Sequence, residues 1–397
     1  MMFVRSSLIV AIGVVCTSVV QGLAPSSKPN SKQTFGASAL STDTSTGPAS
    51  VFSRRNFVAT SIAGAVLAGI SSESLAATNA LTLVSPSTLQ GQTALITGAT
   101  TGIGLETAKA LAKGGATVVM TARTDKKGSK AVETVQNFLK EEGVQNDKVY
   151  YVQLDLDNLD NVKSFPKRFQ EKLGETAKID ISIQNAGVMA IPDRQLTKDG
   201  YERTFQSNML GHFALLAKLF PYLNENAKII NVSSIAYQIA GKGLDIDNLN
   251  GEKEYGPWSA YGQSKLENIL FASELQRRAD AAGIPLTVTS LHPGGVNTDL
   301  ARNMMGGDEA WFEKRSKGPT NVLEKVLDAG ISKALLTPAE GAATQVYLAT
   351  TNNAEKGRFY SDLKPQKLPA FATDKNAAKA LWEKCEQLAG VTFDVSK

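Results

Sequence analysis

Gly91-Gln-Thr-Ala-Leu-Ile-Thr-Gly98-Ala-Thr-Thr-Gly102-Ile-Gly104-Leu-Glu-Thr-Ala-Lys-Ala-Leu-Ala112 is a short apolar run that enters a glycine cluster and leaves as an alanine-rich stretch. That order reads as strand, tight turn and helix, with glycines where backbone must approach a ligand closely. A helix starting there points free N–H groups and the positive end of its dipole at the turn, which suits a pyrophosphate. The spacing is Gly-x-x-x-Gly-x-Gly, not the Gly-x-Gly-x-x-Gly of the common dinucleotide fingerprint.

The same alternation continues outward from this stretch. Residues 94–97, 117–122, 149–155, 179–184, 228–232 and 286–291 read as buried strands. Helical stretches fall between them at 103–114, 127–142, 158–174, 199–224 and 259–283. Strand and helix alternating through six units predict an α/β fold built on a single doubly wound parallel sheet with helices on both faces. Connections should be right-handed, and a nucleotide should lie across the carboxyl ends of the strands at the switch point. No internal repeat or second domain is visible. Residues 300–338 and 360–397 read as additions that cover the site.

A second constellation lies in Ser259-Ala-Tyr-Gly-Gln-Ser-Lys265. On a helix, Tyr261 and Lys265 share one face. A lone tyrosine titrates near pH ~10. A fixed ammonium beside it is expected to favour the phenolate and lower that value toward the working range.

With these motifs in place the chain resembles the short-chain dehydrogenase/reductase family from about residue 90 onward. The matching segments are Thr97-Gly-Ala-Thr-Thr-Gly-Ile-Gly104, Asp155-Leu156, Asn185-Ala-Gly187, Asn208, Asn231-Val-Ser-Ser234, Tyr261-x-x-x-Lys265 and Pro293-Gly-Gly-Val-Asn-Thr298. Ser264-Lys-Leu-Glu-Asn-Ile-Leu-Phe271, Leu291-His-Pro-Gly294 and Gly357-Arg-Phe-Tyr-Ser-Asp-Leu-Lys-Pro365 are similar to its retinol-dehydrogenase-like branch. Gln184 departs from the family, which usually has a second Asn there.

The resemblance implies a Rossmann fold and assigns roles. Tyr261 would exchange a proton with the substrate oxygen. Lys265 would hold down its pKa and bond the nicotinamide ribose. Ser234 would stabilise charge on the oxygen, with Ser233 as the alternative. Asn208 would anchor a water that relays protons to Lys265. Gly98, Thr100, Thr101, Gly102, Ile103 and Gly104 would cradle the cofactor phosphates. Asp155 and Leu156 would meet the adenine end, and Asn185, Ala186 and Gly187 the nicotinamide-side ribose. Pro293, Gly294, Val296 and Thr298 would meet the nicotinamide amide and phosphates. Helices such as 199–224 and 259–283 often pair in this family, so a homodimer is expected.

The end of the second strand, Thr117-Val-Val-Met-Thr-Ala-Arg123, bears on cofactor choice. NAD sites usually carry an acid there for the ribose 2′-hydroxyl, whereas arginine accommodates a 2′-phosphate. Arg123, with Lys126 and Lys127 behind it, points to NADP(H); Asp125 in the same turn is the contrary sign. Ser234 and Tyr261 stand 27 residues apart, longer than in much of the family, so Gln238–Trp258 should form a loop beside the substrate. With the 300–338 segment it suggests a deep, partly apolar pocket for a lipophilic carbonyl or alcohol. His212 and His292 lack any metal or hydrolase partner pattern and read as structural.

The first 80 residues differ in kind. Residues 1–23 carry one early arginine and an apolar run, as a signal peptide does. Residues 24–52 are Ser/Thr-rich and acid-poor, as transit segments are. In 53–80, Arg54-Arg55 precede a short apolar core, resembling a twin-arginine export signal. That series is similar to layered presequences of secondary plastids and points to the thylakoid lumen; a mitochondrial address or a retained membrane anchor are the alternatives. The catalytic domain would be 81–397, with peripheral membrane contact open to it.

Composition agrees with this: 42% hydrophobic and 20% charged residues suit a large globular core. The net charge of +4 is mostly in the leader, where five basic side chains face two acidic ones, leaving no basic patch for nucleic acid. Of two cysteines, Cys16 lies in the leader and Cys385 near the end, so no disulfide or cysteine metal cluster is available to the remainder. Three functional readings follow: an NADP(H)-dependent oxidoreductase, an NADP(H)-binding redox-sensing regulator of the plastid, or a protochlorophyllide-reductase-like enzyme.

Overall fold

The computed structural model describes residues 78–296 and 335–396. The targeting segments, Thr298 and most of the 300–338 addition lie outside them. The described residues belong to one compact unit.

The opening stretch forms strand β1 (Thr93–Ile96), a turn, and helix α1 (Gly102–Lys113). The chain continues through β2 (Thr117–Ala122), α2 (Asp125–Glu141), β3 (Val149–Gln153), α3 (Leu159–Lys163), α4 (Phe165–Leu173) and β4 (Ile179–Gln184). Helix α5 has three parts: Arg203–Phe205, a π-helical turn Gln206–Leu210, and Gly211–Leu219. Then come β5 (Leu223–Val232), α6 (Pro257–Ala281), β6 (Thr287–His292), α7 (Pro338–Gly341), α8 (Ala343–Thr350), β7 (Phe359–Ser361), β8 (Lys364–Gln366) and α9 (Lys375–Ala389).

The strands pair in the order β3-β2-β1-β4-β5-β6-β7-β8, all parallel except the β7–β8 hairpin. Chain order reverses between β1 and β4, so the switch point falls beside the glycine turn. Side chains alternate across the sheet. Val118 and Met120 of β2 join a core beneath α1, α2 and α8, while Val119 joins a second core with α4, α5, α6 and α9.

Three sequence expectations are corrected. The 158–174 helix breaks at Ser164, where Pro166 cannot continue the hydrogen-bond ladder of a preceding turn. Instead of a helix over 199–224, a turn at Thr197–Tyr201 leads to Glu202, whose carboxylate accepts the N–H groups of Thr204 and Phe205 and starts α5. Pro221 ends that helix, and β5 begins at Leu223. Residues 360–397 do not form a cover over the site. They supply the β7–β8 edge and α9, which lies on α5 and α6.

Trp382 of α9 stacks on Phe271 and meets Phe213 edge-on, with centroids 5.8 and 5.1 Å apart, and the Arg278 guanidinium sits 4.3 Å from its ring. The faces of α5 and α6 that carry Phe213 and Phe271 are therefore covered by this chain's own helix.

Candidate active site

Tyr261 and Lys265 lie one turn apart on α6, 3% and 4% exposed, with the Lys265 Nζ 5.5 Å from the phenol ring centroid. Nζ donates to the Val232 carbonyl at 3.0 Å, and Asn268 Nδ2 donates to the same oxygen at 3.2 Å. The helix is thereby tied to the carboxyl end of β5. Burial, however, overturns the expected electrostatics. It penalises phenolate and ammonium alike, pushing Tyr261 up to about 12 and Lys265 down to about 8. A hydrogen bond with Ser234 lowers the phenol but does not offset desolvation. The resting pair is thus a neutral phenol beside an ammonium of weakened basicity.

The two candidate serines separate cleanly. Ser233 is buried, and its hydroxyl donates to the Lys265 carbonyl at 2.6 Å. Ser234 is half-buried and caps a short 3₁₀ turn (Ile235–Ala240), accepting from Ala236 N at 3.2 Å. Its hydroxyl is the one that reaches Tyr261.

Asn208 sits inside the π-helical turn of α5, fully buried. Such turns displace one residue from the helical ladder and recur at functional sites. Its amide clamps Val188, accepting from the N–H at 2.8 Å and donating to the carbonyl at 3.0 Å. It also donates to Ser264 Oγ at 2.9 Å, which donates to the Tyr261 carbonyl at 2.8 Å. A Cβ on Gly187 would stand 3.1 Å from Asn208 Oδ1 and 3.7 Å from Lys265 Nζ, so this glycine lies against both.

The turn after β1 is a cradle. Gly98 and Gly102 have φ of 64° and 58°, the left-handed region that glycine tolerates. A Cβ on Gly104 would meet Asn185 Nδ2 at 2.5 Å and the Gly98 carbonyl at 2.6 Å. Thr101 makes no side-chain cap, and the first turn of α1 carries no acid. Its N–H groups, flanked by half-buried Thr100 and Ile103, are open to an anion. These residues fit the pyrophosphate of a dinucleotide.

Thr97 Oγ1 accepts from Asn185 N and Ala186 N at 2.9 and 3.0 Å, tying the Asn-Ala-Gly turn to β1. The Asn185 amide is itself occupied: it donates to the Thr97 and Gly98 carbonyls at 2.8 and 3.2 Å and accepts from Gln345 at 3.2 Å. Asn185 therefore shapes the turn, setting Ala186 against Gly98 and Gly187 against Asn208 and Lys265. Asp155 accepts from Asp157 N at 3.2 Å, and Leu156 packs into the core while its carbonyl accepts from Gln206. Arg123 follows β2, exposed and without an ion pair among the described residues. Asp125 occupies the first turn of α2, where the helix dipole favours it. Gly294 has φ of 87° and Val296 bridges Leu336, so Pro293–Val296 leave the carboxyl end of β6 toward the site.

The 238–258 loop leans on residues 191–202. Tyr255 Oη donates to the Ile191 carbonyl at 2.8 Å, and Asn250 Oδ1 accepts from Glu202 N at 2.6 Å. Trp258 meets the Tyr261 ring edge-on at 6.3 Å. Sequence reasoning missed Ser264, Asn268, Gln345 and the use made of His212. Ser264 and His212 carried a signal, standing within the Tyr-x-x-x-Lys stretch and four residues after Asn208; Gln345 carried none.

Residues 92–308 match the family model for short chain dehydrogenase. Human retinol dehydrogenase 14 is 35% identical over 77% of this chain and 88% of its own length. Human polyprenol dehydrogenase is 34% identical over 75% of this chain and 85% of its own. A crystal structure of an uncharacterized protein from Mycobacterium paratuberculosis shares 32% identity and a TM-score of 0.59, covering 79% of this chain and 98% of that one. The chain belongs to the short-chain dehydrogenase/reductase family, in its retinol-dehydrogenase-like branch.

Proposed function

We propose that this protein is an NADP(H)-dependent oxidoreductase that interconverts a carbonyl and an alcohol on a lipophilic substrate. The observation that carries the reading is the buried Tyr261–Lys265 pair, with the Ser234 hydroxyl beside the phenol and Asn208–Ser264 bracing the helix behind it. Arg123, exposed at the end of β2, supports a 2′-phosphate. The relatives' names, retinol and polyprenol dehydrogenase, support an apolar alcohol or its carbonyl, and the Trp258 edge beside Tyr261 offers such a substrate an aromatic wall. The layered leader supports the thylakoid lumen of a plastid as the place of reaction.

A bound nicotinamide supplies the hydride. In the reductive direction Tyr261, neutral at pH 7, hands its proton to the substrate oxygen. The Ser234 hydroxyl hydrogen-bonds that oxygen as charge develops. Lys265, mostly charged below about pH 8, stabilises the phenolate once the proton has left. The pair's attraction thus acts during the reaction rather than at rest.

The test is turnover of retinoid and polyprenyl aldehydes by the full chain, with NADPH and NADH in parallel. Wild type should turn over with NADPH preferred. Tyr261→Phe should lose about 10²–10⁴-fold in kcat while still binding NADPH. Unchanged kcat in Tyr261→Phe refutes the assigned acid, equal use of NADH refutes the cofactor choice, and no turnover of either aldehyde refutes the substrate class.

A further inference from the structure

His212 lies 3% exposed on α5, one turn after Asn208, between the two halves of the site. Its Nδ1 is 3.1 Å from the Asn208 carbonyl and its Nε2 is 2.9 Å from Thr97 Oγ1. A carbonyl only accepts, so Nδ1 must carry the ring proton. Nε2 is then an acceptor and requires the Thr97 hydroxyl proton. The hydroxyl supplies it, because its acceptor capacity is already taken by the amides of Asn185 and Ala186. Its other acceptor, the Ile183 carbonyl, is more distant at 3.4 Å.

Every donor in the chain therefore meets one acceptor, and only one tautomer satisfies it. An imidazolium would point an N–H at a hydroxyl already accepting two. Burial and the nearby Lys265 charge also oppose protonation, holding the ring down to about 4.

We propose that His212 is a positioning residue for the reaction: its Nδ1–H tautomer couples the π-helical turn that carries Asn208 to the Thr97 hydroxyl beneath the Asn-Ala-Gly turn. Within the π-helical turn the imidazole takes up the Asn208 carbonyl. From there the bonds run through the Asn208 amide to Val188 and Ser264 and on to the Tyr261 carbonyl. From the other end they run through Thr97 to the cofactor turn. His212 touches neither substrate nor cofactor; it keeps proton donor and nicotinamide-side turn in register. The kinetic part of this inference rests on the oxidoreductase reading above.

A double-mutant cycle tests it. His212→Phe keeps the ring shape and removes both bonds; Thr97→Val removes the partner. His212→Phe should lower kcat about tenfold, since small misplacements are costly to orientation. In the Thr97→Val background it should add less than about twofold, as coupled residues do. His212→Gln, with an amide oxygen available near the Nε2 position, should recover part of the loss. If His212→Phe does not fold, His212→Asn, which keeps a donor toward Asn208 and no acceptor toward Thr97, takes its place.

A lower Tm with kcat within about twofold of wild type overturns the proposal, as do independent, multiplying effects of the two substitutions. A readout without turnover separates this from failure of the enzymatic reading. Ring ¹⁵N shifts of His212 should report the neutral Nδ1–H form throughout pH 6–9. The Nε2–H form, or titration within that window, overturns the proposal even if the enzyme is active.

Discussion

Ser233 and Ser234 show how finely neighbouring residues divide their work. Extended backbone, which continues past β5 to Ser234, sends adjacent side chains to opposite faces. Ser233 therefore turns inward to the Lys265 carbonyl, while Ser234 opens toward the phenol. Ser234→Ala should cut kcat about 10²-fold with little change in Tm, as loss of a donor at a developing oxyanion does. Ser233→Ala should remove a buried hydrogen bond to a carbonyl that lies within α6 and cost about 0.5–1.5 kcal/mol in chemical denaturation, with turnover per folded molecule largely kept. Equal kinetic losses in the two variants would refute this division. The motif Asn231-Val-Ser-Ser234 was legible in the sequence, but which hydroxyl points where depends on the register of β5 with β6 and the turn that follows. The Tyr261 pKa was likewise out of reach. Spacing to Lys265 is local, whereas the desolvation that outweighs it comes from distant segments packing around both.

Among the elements, α6 carries the site and is buried over most of its length. Such a helix has little amphipathic signal, and it was recognised by its chemical motif rather than by periodicity. The opposite holds for α5, where apolar content announced a helix but could not announce the π-helical turn, an irregularity stabilised by contacts to Val188 and Ser264 from elsewhere. The C-terminal helix α9 was not foreseen as part of the core. Its Trp382 closes an aromatic cluster with Phe213, Phe271 and Phe393 against α5 and α6. Trp382→Ala should cost about 3–5 kcal/mol, read as a lowered denaturation midpoint. A loss below about 1 kcal/mol would mean that α9 is peripheral.

At the scale of the molecule, the parallel sheet brings residues far apart along the chain together at the carboxyl ends of its strands. Asn185 and Gln345, 160 residues apart, meet over the glycine turn. The fold also encloses a buried acid. Glu267 is 1% exposed, its Oε2 has no hydrogen-bond partner among the described residues, and burial reinforced by Glu202 pushes it up to about 8. A folded state that holds a proton the unfolded chain releases is most favoured at low pH. This contribution is fully present below Glu267's ordinary value near 4.5 and is lost as pH rises toward about 8. Glu267→Gln should flatten that part of the stability–pH curve and raise stability at pH 8 relative to wild type, as measured by urea unfolding across pH 5–9. Parallel curves for the two proteins would show that the carboxyl is solvated.

The sequence by itself determined the doubly wound sheet, the glycine turn at its switch point, the Tyr261–Lys265 face and the arginine after β2. Each is a local pattern: a period of two or of 3.6, a glycine where φ is positive, or two residues one turn apart. Tertiary structure alone decided which serine serves the phenol, which way burial drives the catalytic pair, how His212 and Ser264 brace it, and that α9 closes the core. Those depend on desolvation and on hydrogen-bond partners far apart along the chain, which exist only once the sheet has brought them together.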